Sequence, residues 1–245
     1  MAAEFLFYVA AGFAAQLVDG TLGMAYGVTA TSLLLATGVP PAVSSATVHA
    51  AECFTTGASA VSHHAFGNVR AELFRRLVGP GIVGAVIGAY LLSNAPGEAL
   101  KPYIALYLLV MGIVIVTKAF REFPPARVTT HVAPLGFVGA LVDALGGGGW
   151  GPIVASTLIA RGNDVRQTVG SVNAAEFFVT VAASVTFILM LGLSHWHMIA
   201  GLAVGGLVAA PIGAWACSRL PLKPLMAGVG LLVILLSLRT LWRAI

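Results

Sequence analysis

The chain has 245 residues, of which 58% are apolar and only 9% charged, whereas a soluble domain carries roughly 25% charged residues. This excludes an ordinary water-soluble globule and indicates an all-α polytopic membrane protein that lies in the lipid bilayer. The net charge of +4 comes from basic residues in separate membrane-proximal loops, so it is not a nucleic-acid footprint. Cys53 and Cys217 sit within apolar runs and read as small packing residues rather than as a disulfide or a metal site.

The N-terminus, Met1-Ala2-Ala3-Glu4, has no basic lead-in and runs straight into apolar sequence. It reads as a retained first membrane segment rather than a signal peptide. Five hydrophobic segments follow in the first half, at roughly 4–18, 25–38, 42–63, 77–94 and 100–118. Five more occupy the second, at roughly 131–145, 150–160, 166–191, 197–217 and 224–243. The third to fifth of each half approach the ~20 residues that cross a bilayer. The first two of each half are shorter and read as half-helices, forming either a re-entrant hairpin or a pair of short tilted spans.

The halves repeat one another. Residues 12–61 align on 136–185 without a gap, with 19 identities in 50 positions. Asp19 falls on Asp143, Gly23 on Gly147, Tyr26 on Trp150, Gly27 on Gly151 and Glu52 on Glu176. A looser match continues, with "GAY" at 88–90 on "GAW" at 213–215. The expected organisation is two repeats, 1–123 and 124–245, each with one broken half-helix pair and three transmembrane helices. Since each half then crosses an odd number of times, the second is inverted relative to the first. Placing loop 64–76 in the cytoplasm puts Arg70, Arg75, Arg76, Lys118, Arg121, Arg127, Arg161, Arg166, Arg219 and Lys223 inside. Lys101, Arg239 and Arg243 stay outside. That bias follows the positive-inside rule and sets both termini on the non-cytoplasmic side.

Between the first two segments of each half the backbone is interrupted, at Asp19 to Gly27 and at Asp143 to Gly151. Non-helical backbone at membrane depth is tolerated where it is buried in protein or lines a cavity, and paired interruptions of this kind point to a transporter's substrate site. Each break leads into a half-helix whose N-terminus offers backbone N–H groups and a partial positive charge. The candidate anion-binding residues are therefore Gly23, Met24, Ala25, Tyr26 and Gly27 in the first break. In the second they are Gly147, Gly148, Gly149, Trp150 and Gly151. The alternative is that these glycines only allow close helix packing. Met24 and Ala25 stand where the second break has Gly148 and Gly149, which predicts an asymmetric site. Asp19 and Asp143 are expected to cap the half-helices. A nucleotide loop is excluded by the missing Gly-Lys pair.

The third segment carries Ser45, His49, Glu52, Thr56, Ser59 and His63 at spacings of three and four, on one helix face. Its counterpart keeps Asn173, Glu176 and Thr180. Such a stripe must face protein or water, not lipid. His49 and Asn173 are added to the candidate substrate contacts. Glu52 and Glu176 are candidate proton-coupling groups, because burial favours the neutral, proton-carrying carboxyl; the competing role is a protonated carboxyl serving as structural glue. His63-His64 and His195-x-His197 lie at segment ends without an acidic cluster and read as interfacial rather than metal-binding. No pattern calls for a metal or another cofactor.

At the duplicated "GFAAQLVDGTLGMAYG" and "GFVGALVDALGGGGWG" and at "VNAAEFF", the chain resembles the sulfite exporter TauE/SafE family of bacterial membrane transporters. The resemblance covers essentially the whole chain. It implies an inner-membrane carrier, not an enzyme, that exports small sulfur-containing anions such as sulfite, sulfoacetate or related organosulfonates. Alternating access about the paired breaks is the expected mechanism, with protons as a candidate coupling ion. An anion channel, or a carrier of another small carboxylate, shares the same site. An intramembrane enzyme built on His49 and Glu52 lacks any accompanying nucleophile or HExxH motif.

Overall fold

The computed structural model describes residues 2–22, 24–120, 130–192, 195–216 and 222–244. Ten α-helices follow one another: α1 (Ala2–Leu22), α2 (Tyr26–Thr37), α3 (Pro41–Ala65), α4 (Ala71–Asn94), α5 (Gly97–Ala119), α6 (Val132–Gly146), α7 (Ser156–Ala160), α8 (Val165–Leu191), α9 (Trp196–Ala216) and α10 (Leu222–Ala244). A π-helical turn, Trp150–Ala155, leads directly into α7. No strand occurs among the described residues. The protein is thus an all-helical, multi-pass membrane protein. Four stretches are long and apolar enough to cross a bilayer, namely α4, Ala99–Ala119, α8 and Trp196–Gly213. The short apolar segments on either side of the second break are α6, with 15 residues, and Trp150–Ala160.

α4 begins at Ala71, six residues before its expected start at 77, and α1 also outruns its expected length. α1 has 21 residues, about 31 Å at 1.5 Å per residue, rather than ending at residue 18. The helix continues through Asp19 and Gly20 because this end is enclosed by protein. Asp19 is buried, and Gly20 packs against the backbone of Gly213. Gly23, Cys217, Arg121, Arg127 and Arg219 lie outside the described residues, as does the expected boundary between the halves.

The helices pack crosswise between halves. α1 lies along α9, α6 along α4, α3 against α8 and α5 against α10. The closest crossings are made by glycines, which let backbones approach without a hydrophobic driving force between helices. A Cβ on Gly84 would collide with the carbonyl of Phe137 in α6, and one on Gly205 with the carbonyl of Val9 in α1. On the outer faces, side chains such as Val83, Ile87, Leu106, Val185, Leu207 and Leu235 are exposed, as hydrocarbon contact requires. The polar stripe of α3 points inward, with Ser45, His49, Glu52, Thr56, Ser59 and His63 all buried. On the opposite side of the same helix Phe54 and Val61 are exposed.

These crossings make a measurable distinction among glycines. Gly84→Val and Gly205→Val should each lower stability in detergent by ~1–3 kcal/mol or more, the usual cost of overpacking. Gly79 has open space around its Cα, so Gly79→Ala should be neutral or stabilising by up to ~1 kcal/mol. Thermal unfolding of the three variants is the check, and equal behaviour would refute the packing role.

Candidate functional site

The second break begins where α6 ends. A terminated helix leaves carbonyls and N–H groups without intrahelical partners, and lipid cannot supply them. Gly147, with φ at +67°, takes the left-handed conformation that suits glycine. Its N–H and that of Gly148 both reach back to the Asp143 carbonyl, at 2.7 and 3.2 Å. Three carbonyls of this end, those of Ala144, Gly147 and Gly148, are met by hydroxyls from three other helices. Ser45 in α3 donates to Ala144 at 2.8 Å, Thr31 in α2 donates to Gly147, and Tyr107 in α5 donates to Gly148 at 2.8 Å.

On the donor side, Asp143 Oδ1 accepts the N–H groups of Gly149 at 2.6 Å and Trp150 at 3.2 Å. Asp143 therefore caps the following helical turn from the end of the preceding helix, although the N-cap position itself is Gly149. The turn it caps is π-helical and contains Pro152, which has no N–H to place. Such wide turns recur at functional sites. The Trp150 indole N–H donates to the Val172 carbonyl in α8 at 3.2 Å, fixing the ring inside the core.

The other oxygen of Asp143, Oδ2, lies 3.2 Å from His49 Nε2, and both side chains are buried. The proton count of this pair follows from its neighbours. His49 Nδ1 is 2.8 Å from the Ser45 carbonyl, which can only accept. Ser45 Oγ, 3.3 Å from the same nitrogen, already directs its hydrogen to Ala144. Nδ1 therefore carries a hydrogen. Nε2 then either donates to a carboxylate as part of an imidazolium or accepts from a protonated carboxyl. Hydrogen-bonded in either form, the pair holds one proton between Nε2 and Oδ2 and is neutral overall.

The first break is built differently. Ala25, at the position matching Gly149, has φ at +100° without being glycine. Tyr26 N–H reaches Asp19 Oδ1 at only 3.5 Å, and the Tyr26 hydroxyl donates to Leu202 in α9 at 3.3 Å. The Asp19 Oδ2 atom has no partner among the described residues. The two breaks touch. A Cβ on Gly27 would stand 2.8 Å from Gly148 Cα, 3.2 Å from the Gly147 carbonyl oxygen and 3.2 Å from Glu52 Oε1. A Cβ on Gly148 would in turn meet the backbone of Gly27 and Val28.

Of the candidate residues, Met24, Ala25, Tyr26, Gly27, Gly147, Gly148, Gly149, Trp150 and Gly151 are buried at or beside this junction. Gly23 is outside the described residues. His49 and Glu52 approach the junction from α3. Asn173 instead faces α3, donating to Ser59 at 3.0 Å, and its own carbonyl oxygen is unpartnered among the described residues. Glu176 is buried on α8, with Oε2 likewise unpartnered. Tyr107, Thr31 and Ser45 are the residues that sequence reasoning missed. Ser45 was legible as part of the polar stripe but not as a partner of the break, and Thr31 had a signal in the run of polar side chains Thr29, Thr31 and Ser32 in an otherwise apolar half-helix.

Comparison with known proteins bears on what this junction serves. The profile of the sulfite exporter TauE/SafE family matches residues 8–240. The chain belongs to the TauE/SafE family. It is also 45% identical over 240 residues to "Probable membrane transporter protein YtnM" of Bacillus subtilis (strain 168), across 94% of this chain and 80% of the relative. No solved structure matches it. Both the TauE/SafE assignment and the relative's name point to a membrane transporter.

The geometry of this TauE/SafE member predicts which side chains hold the break together. Asp143→Ala strands two backbone N–H groups and His49, so it should cost ~3–5 kcal/mol, as for removal of one member of a buried pair. Asp143→Asn retains an acceptor for the two N–H groups and should recover part of that loss. Tyr107→Phe leaves one carbonyl unpaired, for ~1–3 kcal/mol. Thermal unfolding in detergent measures all three, and an Asp143→Ala variant as stable as wild type would contradict the capping role.

Proposed function

We propose that the protein is a secondary transporter exporting small sulfur-containing anions, namely sulfite, sulfoacetate or related organosulfonates, across the bacterial inner membrane. Residues 1–123 and 124–245 act as inverted repeats, and alternating access takes place about the junction of the two breaks. The observation that carries this reading is the contact itself. Two interrupted helices, far apart in sequence, meet at Gly27 and Gly148 beside Glu52. The family and the bacterial relative support transport. The crosswise packing of α1 on α9 and α6 on α4 supports a symmetric pair of moving units.

The substrate anion takes the N–H groups of Gly149 and Trp150. The Asp143 carboxylate holds these in the present geometry, so binding requires that Asp143 withdraw. Tyr26, Gly27, Met24 and Ala25 line the opposite side, and His49 and Asn173 flank it. Because the surroundings hold carboxyls and not fixed cations, anion binding is favourable when those carboxyls are protonated. Glu52 and Glu176 are the proton-coupling groups in this scheme. A second site for the proton is favoured by one observation, the 3.2 Å contact between His49 Nε2 and Asp143 Oδ2.

Proton and anion binding are then mutually favourable, and the coupling is reciprocal. Anion affinity should rise as pH falls from about 8 to 5. Glu52→Gln or Glu176→Gln should keep binding at neutral pH while flattening that profile, read by equilibrium binding of sulfite to purified protein. If both variants keep the wild-type profile and His49→Gln flattens it, the glutamates are structural and the proton belongs to the His49–Asp143 pair. In proteoliposomes, an imposed pH gradient should drive sulfite accumulation above its equilibrium level. Dissipation without accumulation would identify an anion channel instead.

The same scheme places both termini outside and the α3–α4 loop in the cytoplasm. Phe66, 66% exposed, and Trp196, 59% exposed, report on opposite faces. Phe66→Cys should resist an impermeant thiol reagent in intact cells while Trp196→Cys reacts. Equal reactivity of both would sink the inverted arrangement.

A further inference from the structure

A groove of about 810 Å³ opens between α3, α4 and α8, away from the glycine breaks. Ala60, Val61, Phe74, Phe177 and Phe178 make its apolar walls. It faces the bilayer sideways, since Val61 is 71% and Phe178 43% exposed. Where the groove approaches the loop joining α3 to α4, two basic side chains enter its lining, His64 and Arg75. Arg75 has no ion pair among the described residues. Its neighbour Arg76 is held by Glu72 at 2.9 Å.

The internal repeat supplies a comparison within the same molecule. A second groove, of about 20 Å³, lies between α3, α8 and α9 and is lined in part by Ala50, Ile188 and Ile199. The offset that aligns the halves sets Ala174, in the first groove, on Ala50, and His64 on Ile188. The match of "GAY" at 88–90 with "GAW" at 213–215 sets Phe74 on Ile199 and Arg75 on Ala200. The grooves thus share three matched lining positions, but only the large one carries basic side chains. Hydrophobic packing alone accounts for the small groove and gives no reason for His64 and Arg75 in the large one.

We propose that the α3–α4–α8 groove binds an anionic glycerophospholipid, with an acyl chain along Val61, Phe74 and Phe178 and the phosphate on Arg75 and His64. A guanidinium pairs with phosphate through two parallel hydrogen bonds, and basic pockets between membrane helices suit anionic headgroups. A zwitterionic lipid would use the apolar walls without the cations. A free phosphate would use the cations without the walls. A second copy of this chain would have to cover Arg75 and His64 with apolar surface. The site is independent of the transported substrate and of the direction of transport.

The test compares phosphatidylglycerol with phosphatidylcholine of identical acyl chains, each added to the purified full chain in nonionic detergent. Thermal unfolding and native mass spectrometry give the readouts. Phosphatidylglycerol should stabilise more strongly and remain bound. Arg75→Gln should reduce its preference over phosphatidylcholine roughly fivefold, the factor expected for one cation near a headgroup, and adding His64→Gln should remove the rest. Val61→Trp, which fills the groove, should weaken both lipids, whereas Arg76→Gln should change little. The proposal is overturned by equal affinity for the two lipids or by an Arg76→Gln loss as large as that of Arg75→Gln. Stabilisation by free glycerol phosphate equal to that by lipid would also overturn it, as would a dimer that Val61→Trp dissociates.

Discussion

In a bilayer a helix can be broken only if every backbone group it releases finds a partner, and the arrangement of this protein follows from that requirement at residues 143–150. The break is closed by one carboxylate and three hydroxyls drawn from α2, α3 and α5. Each of those helices is thereby tied to the end of α6. The glycine run is consequently not loose: it is the place where four helices share hydrogen bonds, and any motion of the break must exchange those bonds for others. Asp143 is central, since one oxygen organises the following turn and the other faces His49.

The electrostatics of the interior are unusual for a member of a sulfite-exporter family. Asp19, Glu52, Asp143 and Glu176 are all buried, and among the described residues no lysine or arginine is. Positive character at the junction comes from helix N-termini and from His49. Four ionised carboxyls in hydrocarbon surroundings would be costly and would repel an anion, so protons must neutralise part of this charge. The His49–Asp143 contact is one place where such a proton can be held, and Asp143 links it directly to the backbone N–H groups of the break. Proton occupancy and loop geometry are in this way properties of one hydrogen-bonded unit.

The two matched stretches of sequence differ at their breaks. Asp143 caps two N–H groups, while Asp19 makes one long contact among the described residues. Ala25 adopts a left-handed conformation that its counterpart Gly149 does not need. The lateral grooves follow the same logic, with His64 and Arg75 on one side and Ile188 and Ala200 at the matched places on the other. The framework of matched residues is shared, and side-chain differences make the two breaks unequal.

Local pattern was enough for much of this. The apolar runs located the helices because burial in lipid demands uninterrupted hydrophobic length. The three-and-four spacing from Ser45 to His63 marked an inward face because a helix repeats every 3.6 residues. The glycine clusters marked the breaks because only there does the chain abandon good helix formers. Other features carried no local signature. Tyr107 lies in an apolar run like its neighbours, and Ser45 is one polar residue of a stripe. Their pairing with Gly148 and Ala144 exists only once α5, α3 and α6 are packed together. α1 outlasts its apolar run because protein, and not lipid, surrounds Asp19. The sequence by itself determined the class, the helix positions, the repeat and the places where the backbone is interrupted, since each depends on composition or period within a short window. Tertiary structure alone decided that the two breaks touch, that Asp143 caps the turn while meeting His49, and that three distant hydroxyls close the helix end. Those are contacts between residues many positions apart, and hydrogen-bond geometry at such range is set by packing, not by neighbours in the chain.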